Sequence, residues 1–515
     1  MTYSKYIPGI LCLLFFSYPS VPYAQTTVSG AVSGTWSKDK SPYIVIGDLS
    51  IKYNSILVIQ AGVQVYFHEN VKFTIGAKFN QDRSAHRLIA VGTPTDSIYF
   101  SAYNKPEGWA GLRFEETSDD DILSYVVISE IKKTDAYNQP EMDYTYGGIE
   151  IVSSDPKIIN SRIIGNTIAD GAVISCYLSS PHVSNCIFAN NIKSTDHEQN
   201  EWSNSKLKSS FVGCHNSNIR FDNTLIYDNS VDQFLAGMNG SLITFINVTM
   251  SHNIFNINYE NISTARSFNN KLYFLNTIIH QNQATFLGIF DCQIAGDSIE
   301  FHYCDVDTSM EYFSNITNKP DLEQFESWKR SKYIIWNAGN LFIDPAFVDP
   351  IRKNYFLQTS SRCLDAGDPN PAYNDWANPD KPDLALFPGQ RTVRNDMGAY
   401  GGKSTLGPPA ANIDINSTHE NCPGTYYLSN NFPNPFNLST TFTYIIPEPQ
   451  RVQFTVYNLL GQKINTMATT LKTAGIYSIE WNGCDDSGKP MPSGIYICRF
   501  RAGQFHQTQK MVLVR

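Results

Sequence analysis

One short unit recurs through the middle of this chain and leaves few folds open. It consists of a polar residue, any residue, a mostly apolar pair, any residue and a second polar residue. It reads Ser161-Arg162-Ile163-Ile164-Gly165-Asn166 and Asn185-Cys186-Ile187-Phe188-Ala189-Asn190, then returns over Asn223–Asp228, Asn247–His252 and Asn276–Gln281. Degenerate copies begin at Tyr125 and Tyr303, and successive starts lie 36, 24, 38, 24, 29 and 27 residues apart. The value 24 reads as the basic coil, and the larger ones as that coil plus an inserted loop. Each copy holds short runs rich in Ile, Val, Phe and Thr between Asn, Ser, Asp and Gly, the composition of brief strands and turns. A single coil cannot bury its apolar face, whereas stacked coils pair strand over strand at about 4.8 Å and share one core. Asparagines at equivalent corners then line up, each amide bonding the next coil and its own turn. The period also suits a propeller or a sandwich; the scarcity of tight hairpin dipeptides favours a parallel coil.

The segments flanking the repeat narrow the fold further. The entry runs from Ser41-Pro42-Tyr43-Ile44-Val45-Ile46-Gly47-Asp48 to Gly92-Thr93-Pro94-Thr95-Asp96-Ser97-Ile98-Tyr99-Phe100, followed by Gly108-Trp109-Ala110-Gly111-Leu112-Arg113-Phe114. The exit carries Asp344-Pro345-Ala346-Phe347, Cys363-Leu364-Asp365-Ala366-Gly367-Asp368-Pro369 and Asp396-Met397-Gly398-Ala399-Tyr400-Gly401. On these motifs, residues 30–403 resemble the right-handed parallel β-helix proteins of the pectin-lyase-like superfamily. The resemblance implies an all-β chain: a right-handed parallel β-helix solenoid followed by a small C-terminal β-sandwich. The exit segment is then expected to cap the open end, where unpaired strand groups would otherwise recruit another chain.

The last ninety or so residues carry a different pattern. Phe432-Pro433-Asn434-Pro435-Phe436-Asn437, Val456-Tyr457-Asn458-Leu459-Leu460-Gly461-Gln462, Trp481-Asn482-Gly483 and Asp485-Asp486-Ser487-Gly488 occur in that order. Ser493-Gly494-Ile495-Tyr496 and Lys510-Met511-Val512-Leu513-Val514-Arg515 complete it. As a set these resemble the type A sorting domain of the type IX secretion system of Bacteroidota. The resemblance implies a tail read by that secretion machinery, with Gly461, Gly488, Gly494, Lys510 and Arg515 in the sorting signal, and delivery to the cell surface or medium. Alternation over Thr441–Ile446, Val452–Tyr457 and Tyr496–Arg501 independently suits a small antiparallel sandwich. Asp485-Asp486-Ser487-Gly488 reads as a turn between strands rather than a metal loop.

At the other end, Lys5, the apolar run Ile10–Phe16 and Ala24 before Gln25 have the order of a secretory signal peptide. The run is shorter than the roughly 20 residues a membrane span needs. Cys12 lacks the small residue that a lipobox places before it. No later stretch reads as a transmembrane helix, so the mature chain is expected to have no membrane segment. The expected layout is a signal peptide at 1–24, the β-helix with its capping segments at 25–403, a linker at 404–425 and the sorting domain at 426–515. The linker's Pro, Gly, Ala, Asn and Ser carry no apolar period, which predicts an extended connection.

Charge and cysteine usage bound the partners. The tail from Tyr426 carries eight Lys and Arg against four Asp and Glu, leaving the passenger 25–425 at about −14 where the whole chain is −9. A body that acidic repels nucleic acid and gives no electrostatic help to uronate-rich polysaccharides. Nine of the ten cysteines survive loss of the signal peptide. Cys176, Cys186, Cys214, Cys292 and Cys304 sit in apolar strand-like contexts and read as buried small hydrophobes. No CxxC, HExxH or clustered His spacing supports zinc. Asp305-Val306-Asp307 offers oxygens to Ca²⁺, but an exposed polar turn is the preferred reading. Asp119-Asp120-Asp121 reads as a solvated turn that discourages edge pairing. No metal or other cofactor is assigned.

Catalytic patterns are thin. Polygalacturonase-like hydrolysis needs clustered aspartates on successive coils, with the Gly-His-Gly and Arg-x-Lys signatures of that family. The first is absent and the second occurs only as Arg330-Ser331-Lys332. A lyase needs basic residues, and between Ser209 and Ser298 only Arg220, Arg266 and Lys271 occur. No nucleophile elbow is present, and no catalytic residue is assigned.

The repeats do suggest a place for a ligand. The unit from Tyr125 runs about 12 residues past a 24-residue coil, and that from Asn185 about 14 past it. Segments 132–146 and 193–208 should therefore project from one corner, with roots two strand spacings, or roughly 10 Å, apart. The first offers Tyr137, Glu141, Asp143, Tyr144 and Tyr146; the second offers Asp196, His197, Glu198, Glu201 and Trp202. Aromatics facing carboxylates suit a sugar-binding cleft. The alternative is a pair of solvated loops whose tyrosines fold back on the solenoid. The function read from all this is an adhesin-like, glycan-binding or structural surface protein, with a polysaccharide hydrolase (ahead of a lyase) as runner-up.

Overall fold

The computed structural model describes residues 25–51, 54–76, 86–117, 119–133, 147–169, 171–194, 209–236, 240–255, 270–284, 298–307, 334–378, 381–386, 389–406, 427–428, 431, 436–437, 439–446, 450–472, 475–503 and 505–514. The chain divides into two compact units. Residues 1–344, 366–376 and 394–404 form the first; 345–365, 377–393 and 405–515 form the second. The exit segment is thus shared out, with 345–365 and 377–393 grouping with the tail.

The first unit is a parallel β-helix whose full coils run through four short strands. Gly171–Tyr177, His182–Ser184, Ile187–Ala189 and Ile192–Lys193 make one coil. Ser209–His215, Asn218–Asp222, Leu225–Tyr227 and Ser230–Val231 repeat it. Stacking is parallel and in register: Cys176 lies over Cys214, Val183 over Phe221, Phe188 over Ile226 and Ile192 over Ser230. The described strands collect into sheets of seventeen, eleven and six. The largest takes the first and third strand of each coil, joined through the long strand Tyr43–Ile51, which pairs with both Gln64–Phe67 and Lys72–Gly76.

Register makes like residues stack. Phe221, Phe245, Phe274 and Phe301 pile up with ring centroids 5.1, 5.0 and 5.0 Å apart, nearly parallel. Each ring is buried, worth about 1.5–3 kcal/mol in apolar burial alone. Trp109 stacks on Phe67 at 4.1 Å, and its Nε1–H donates to the Ser129 carbonyl, so the indole is buried without an orphaned donor.

The corners explain the repeat. Tyr125, Asn160, Asn185, Asn223, Asn247, Asn276 and Tyr303 all have φ between 47° and 53°. Five residues on, Glu130, Gly165, Asn190, Asp228, His252 and Gln281 are left-handed as well. Asn, Asp and Gly tolerate that backbone best, which is why polar residues bracket each apolar pair. The true start of the second copy is therefore Asn160, where the sequence pattern places Ser161. Gly165 takes its second corner, and Asn166 is the residue after it.

That next position carries an amide ladder. Asn166, Asn191, Asn229 and Asn253 each donate Nδ2–H to the Oδ1 of the next, ending at Asn282, at 2.7–2.8 Å. The same amides donate to carbonyls of the preceding coil at Ile163, Phe188, Ile226 and Met250, and Asn229 also bonds its own turn at Tyr227. A second corner uses hydroxyls: Ser179, Ser217 and Ser241 each accept the backbone N–H of its equivalent in the preceding coil. Cys186 and Cys304 occupy a third such ladder. Their thiols donate to the Ser184 and His302 carbonyls, so they are buried polar partners more than plain hydrophobes. Cys176, Cys186, Cys214 and Cys304 are buried and free; Cys292 lies outside the described residues.

The returning segment 394–404 is placed differently from a cap. The Gly398 N–H donates to the Asn276 carbonyl and the Ala399 N–H to Thr249 Oγ1. Asn247 Nδ2 donates to Asn395 Oδ1 (2.8 Å) and the Asp396 carbonyl (2.9 Å), and Asn223 Nδ2 to the Gly401 carbonyl. The segment thus lies across the flank of three successive coils and covers the outward side chains Thr249 and Ile278. Gly398, at φ 90°, sits so close that a Cβ would come within 2.6 Å of Thr249 Oγ1. The open end is instead continued by Ile334–Trp336, paired with Ser298–His302, and by Leu341 bridged to Asp305.

In the second unit, Thr440–Ile446 pairs antiparallel with Tyr427–Leu428 and Gly475–Trp481. Gln450–Asn458, Lys463–Lys472, Gly494–Ala502 and Phe505–Leu513 make a four-stranded antiparallel sheet. Phe442, Tyr444, Val452, Phe454, Val456, Trp481, Phe500 and Met511 are buried together, the core of a small sandwich.

Candidate functional site

The candidate residues Tyr137, Glu141, Asp143, Tyr144, Tyr146, Asp196, His197, Glu198, Glu201 and Trp202 lie outside the described residues. Their roots are described. Strand Lys132–Lys133 precedes the first insert and Ile192–Lys193 the second, and Thr167–Ile168 pairs in register with both. The roots are thus two strand spacings apart on one edge, the roughly 10 Å that the repeat spacing predicts.

A depression of about 250 Å³ opens beside those roots. Lys105, Lys132 and Lys193 line it together with Glu130, Thr167 and Ile192. Lys105 Nζ stands 3.7 Å from Glu130 Oε1, and Lys193 Nζ is 3.0 Å from Asp232 Oδ1. Burial raises the Glu130 carboxyl above the ordinary range while Lys105 opposes it. Sequence reasoning missed this set, because the lysines come from three segments and no spacing rule joins them.

A second surface was also hidden in the sequence. On strand Ile98–Ala102, Ile98 and Phe100 point into the core while Tyr99 faces out at 42% exposure. Tyr66 lies on the neighbouring strand Gln64–Phe67, its hydroxyl donating to Gln64 Oε1 at 3.1 Å. Just past these strands, Tyr103 (54% exposed) stacks on His68 at 4.7 Å and 15°. Three tyrosines and a histidine therefore share the outer face of adjacent coils with the exposed Gln64, while Ser101 and Ser129 are buried and bond each other. The only local signal was the alternation Ile98-Tyr99-Phe100-Ser101, which marks Tyr99 as outward without saying that it is uncovered.

Elsewhere, charged groups are committed to structure. Glu150 has no exposure; its Oε2 accepts from Lys72 Nζ at 2.6 Å and Arg113 Nη1 at 2.9 Å, and its Oε1 from the Gly147 N–H. Arg113 Nη2 donates to Glu115 Oε1 at 2.9 Å. One guanidinium ties up both carboxylates in ion pairs, so neither stands free in a cleft as a hydrolytic acid or base would. Removing one partner from such a buried network costs about 3–5 kcal/mol. Asp119 and Asp120 are exposed as expected for a turn, but Asp121 is buried. Its Oδ1 accepts the Leu88 N–H at 2.5 Å and its Oδ2 has no hydrogen-bond partner among the described residues. Burial pushes this carboxyl up to about 7, against the pull of the Leu88 amide. Asp305 is likewise no exposed turn: it is buried, and its Oδ1 accepts the Ile343 N–H, while Asp307 Oδ2 accepts the Gln281 N–H. Among the described residues no three His, Cys, Asp or Glu gather in a way that could hold a metal ion.

In the tail, Gly461 and Gly488 are left-handed turn residues, Gly494 opens a strand opposite Leu513, and Lys510 is exposed opposite Ile497. Arg515 lies outside the described residues. Asp485 Oδ1 accepts from the backbones of Ser487 and Lys489, which makes the Asp485–Gly488 stretch a stapled turn, as its composition predicts. Among the described residues no helix is long and apolar enough to cross a membrane.

A family model described as the FlgD Ig-like domain matches residues 437–503, in keeping with the sandwich there. No curated protein matches the chain. Among solved structures, the chain is similar to dimeric latent PorU from Porphyromonas gingivalis at 17% identity, over 22% of this chain and 10% of that one, with a TM-score of 0.15. It is similar to PorZ, described as an essential bacterial surface component of the type IX secretion system of the same organism, at 14% identity over 25% and 14%, with a TM-score of 0.14. The enzymatically active domain of tailspike protein 4 of bacteriophage CBA120 follows at 11% identity, over 95% of this chain and 62% of that one, with a TM-score of 0.20. The chain spans less than two thirds of each of these proteins, and likenesses this slight carry no argument about its activity.

Proposed function

We propose that this chain is a secreted or cell-surface β-helix that captures an extracellular glycan, and that it is exported by the type IX secretion system through its C-terminal domain. The observation that carries the binding half is the outward tyrosine face at Tyr66, Tyr99 and Tyr103. Rings fixed on a sheet offer flat apolar surfaces to pyranose faces, and the tyrosine hydroxyls and the exposed Gln64 amide offer hydrogen bonds to sugar hydroxyls. The solenoid holds these groups rigidly, so little ordering entropy is lost on binding. Capture is favoured over hydrolysis because the close carboxylate pair, Glu115 and Glu150, is neutralised by Arg113. The export half rests on the tail motifs from Phe432 to Arg515 and on the charged, apolar and small-residue order of the first 24 residues.

The test is a glycan array probed with the mature chain from Gln25, with and without Ca²⁺, reading bound and cleaved products on the same samples. Binding without cleavage, weakened by Tyr99→Ala and Tyr103→Ala, is the expected result. Cleavage would overturn the non-enzymatic reading, and silence across a broad array would leave a structural surface role. If Trp202→Ala or Tyr144→Ala also weakens binding, the two inserts join the site. For export, deletion of 426–515 should trap the chain in the periplasm.

A further inference from the structure

We infer that Cys176 and Cys214 form a disulfide site, a covalent clip between the coil that carries the second insert and the coil stacked on it. The two residues are Cα partners on the parallel strands Gly171–Tyr177 and Ser209–His215. Both side chains turn into the core, where they are buried as free thiols in this structure. Parallel strands stack about 4.8 Å apart, inside the roughly 4.4–6.8 Å of Cα separation that a disulfide spans.

Other buried cysteines are placed differently. Cys186 and Cys304 donate to the carbonyls two residues before them, as Ser161, Thr224 and Thr277 do at the equivalent corner. Cys176 and Cys214 lie instead in an inward column, next to Ile151, and meet each other. Among the described residues no other two cysteines are strand partners. A bond between them closes a loop of 37 intervening residues, the difference 214 − 176 less one. Strand Ile192–Lys193, the root of the second insert, lies inside that loop. The cost of closing so long a loop is what a cross-link takes away from the unfolded chain.

The two thiols lose two protons and two electrons as one S–S bond forms. A disulfide donor such as oxidised glutathione takes both, its own S–S bond breaks, and it leaves as two thiols. Burial, with the Cys214 thiol beside it, holds the Cys176 thiol well above its usual range, so the reactive thiolate is scarce once the coil has packed. The bond therefore forms while the coil is still open. The pairing follows from coil geometry alone; its oxidant in the cell rests on the export reading, which takes the chain through an oxidising compartment.

The test maps cysteines in the mature chain from Gln25, produced once in an oxidising compartment behind a general secretory signal and once in a reducing cytoplasm. Each sample is unfolded in guanidinium with an alkylating reagent and digested with trypsin. Trypsin leaves Cys176 and Cys186 together on Ile163–Lys193 and Cys214 on Ser209–Arg220, so the mapping is repeated on Cys186→Ser, which preserves the corner hydrogen bond. The oxidised sample should give the two peptides joined, about 2 Da lighter than their sum and parted by reductant; the reduced sample should give both alkylated. The joined chain should melt about 5 °C higher than the reduced one, and the difference should vanish in Cys176→Ala and in Cys214→Ala alike. Both thiols alkylated in the oxidised sample, or either one joined to a different cysteine, overturns the site. Equal melting with the pair joined overturns its role as a clip. A chain that pairs in this preparation but carries free thiols in its native cell counts against the export reading and leaves the site standing.

Discussion

Among the described residues, the buried polar contacts between Gln64 and Glu150 include an ionic network, whereas those between Asn166 and Asn282 include a ladder of amides. The early coils contain Asp121, whose carboxyl is buried, and the Lys72–Glu150–Arg113–Glu115 network. The later coils run an asparagine ladder, and their outer flank is sealed by the returning segment 394–404. Their outward faces differ in the same sense. Tyr99 and Tyr103 are open to solvent, while Leu225, Thr249 and Ile278 are buried. Coils with the same backbone path thus carry a buried titrating carboxyl and an open tyrosine face in one stretch, and an amide ladder with a flank covered by the returning segment in the other.

The largest effect is expected from Asp121→Asn. The folded carboxyl titrates at about 7, where the unfolded chain would titrate near 3.8. Its proton is therefore bound more tightly in the folded state, and wild-type stability is full below about pH 4 and lost as pH rises to 7. Three units at about 1.4 kcal/mol each make the variant up to about 4 kcal/mol more stable than wild type at pH 8 and equal to it near pH 4, by urea unfolding at the two pH values. A gain that does not depend on pH would refute the titration argument.

Asn229→Ala should cost on the order of 3 kcal/mol at every pH. It orphans the Asn191 backbone N–H and removes one bond each from the Asn191 amide, the Phe188 carbonyl and Asn253 Oδ1. A pH-dependent loss would blur the distinction between the two stretches. Asn247→Ala, which releases the returning segment from Asn395 and Asp396, should cost about 2 kcal/mol and speed amide exchange at Gly398 and Ala399. If exchange there is unchanged, the segment is held by other contacts. The smallest effect on stability, within about 0.5 kcal/mol, belongs to Tyr103→Ala, since the ring is largely exposed. The same variant should weaken glycan binding about tenfold, and a loss of folding stability instead would make the tyrosine part of the structure.

Much of the fold was legible because corner chemistry is local. A left-handed residue wants Asn, Asp or Gly wherever it occurs, so Asn185, Asn223, Asn247 and Asn276 announce their coils unaided. The copy at Asn160 slipped by one residue because Gly165 took the corner and left Asn166 to imitate it. Cys186 and Cys304 read as hydrophobes because a thiol serving a serine-like ladder position has no separate sequence signature. The candidate site was less legible. The insert roots followed from counting residues between repeats, but the lysines beside them did not. Asp121 looked like its exposed neighbours Asp119 and Asp120 because three adjacent aspartates carry no mark of which one turns inward.

Coil length, inward alternation, left-handed corners and the separate C-terminal sandwich are all written in local sequence. These depend on residues within a few positions of each other, where backbone sterics and strand periodicity act. The fate of the outer surface was settled by long-range packing. Parallel stacking sets residues from successive coils side by side at distances fixed by the inserts between them. In that way Lys105, Lys132 and Lys193 come to one hollow, and Asn247 meets a segment that begins nearly 150 residues later. Whether an outward residue ends up covered, charged or open depends on which distant segment folds back over it, and no local period encodes that.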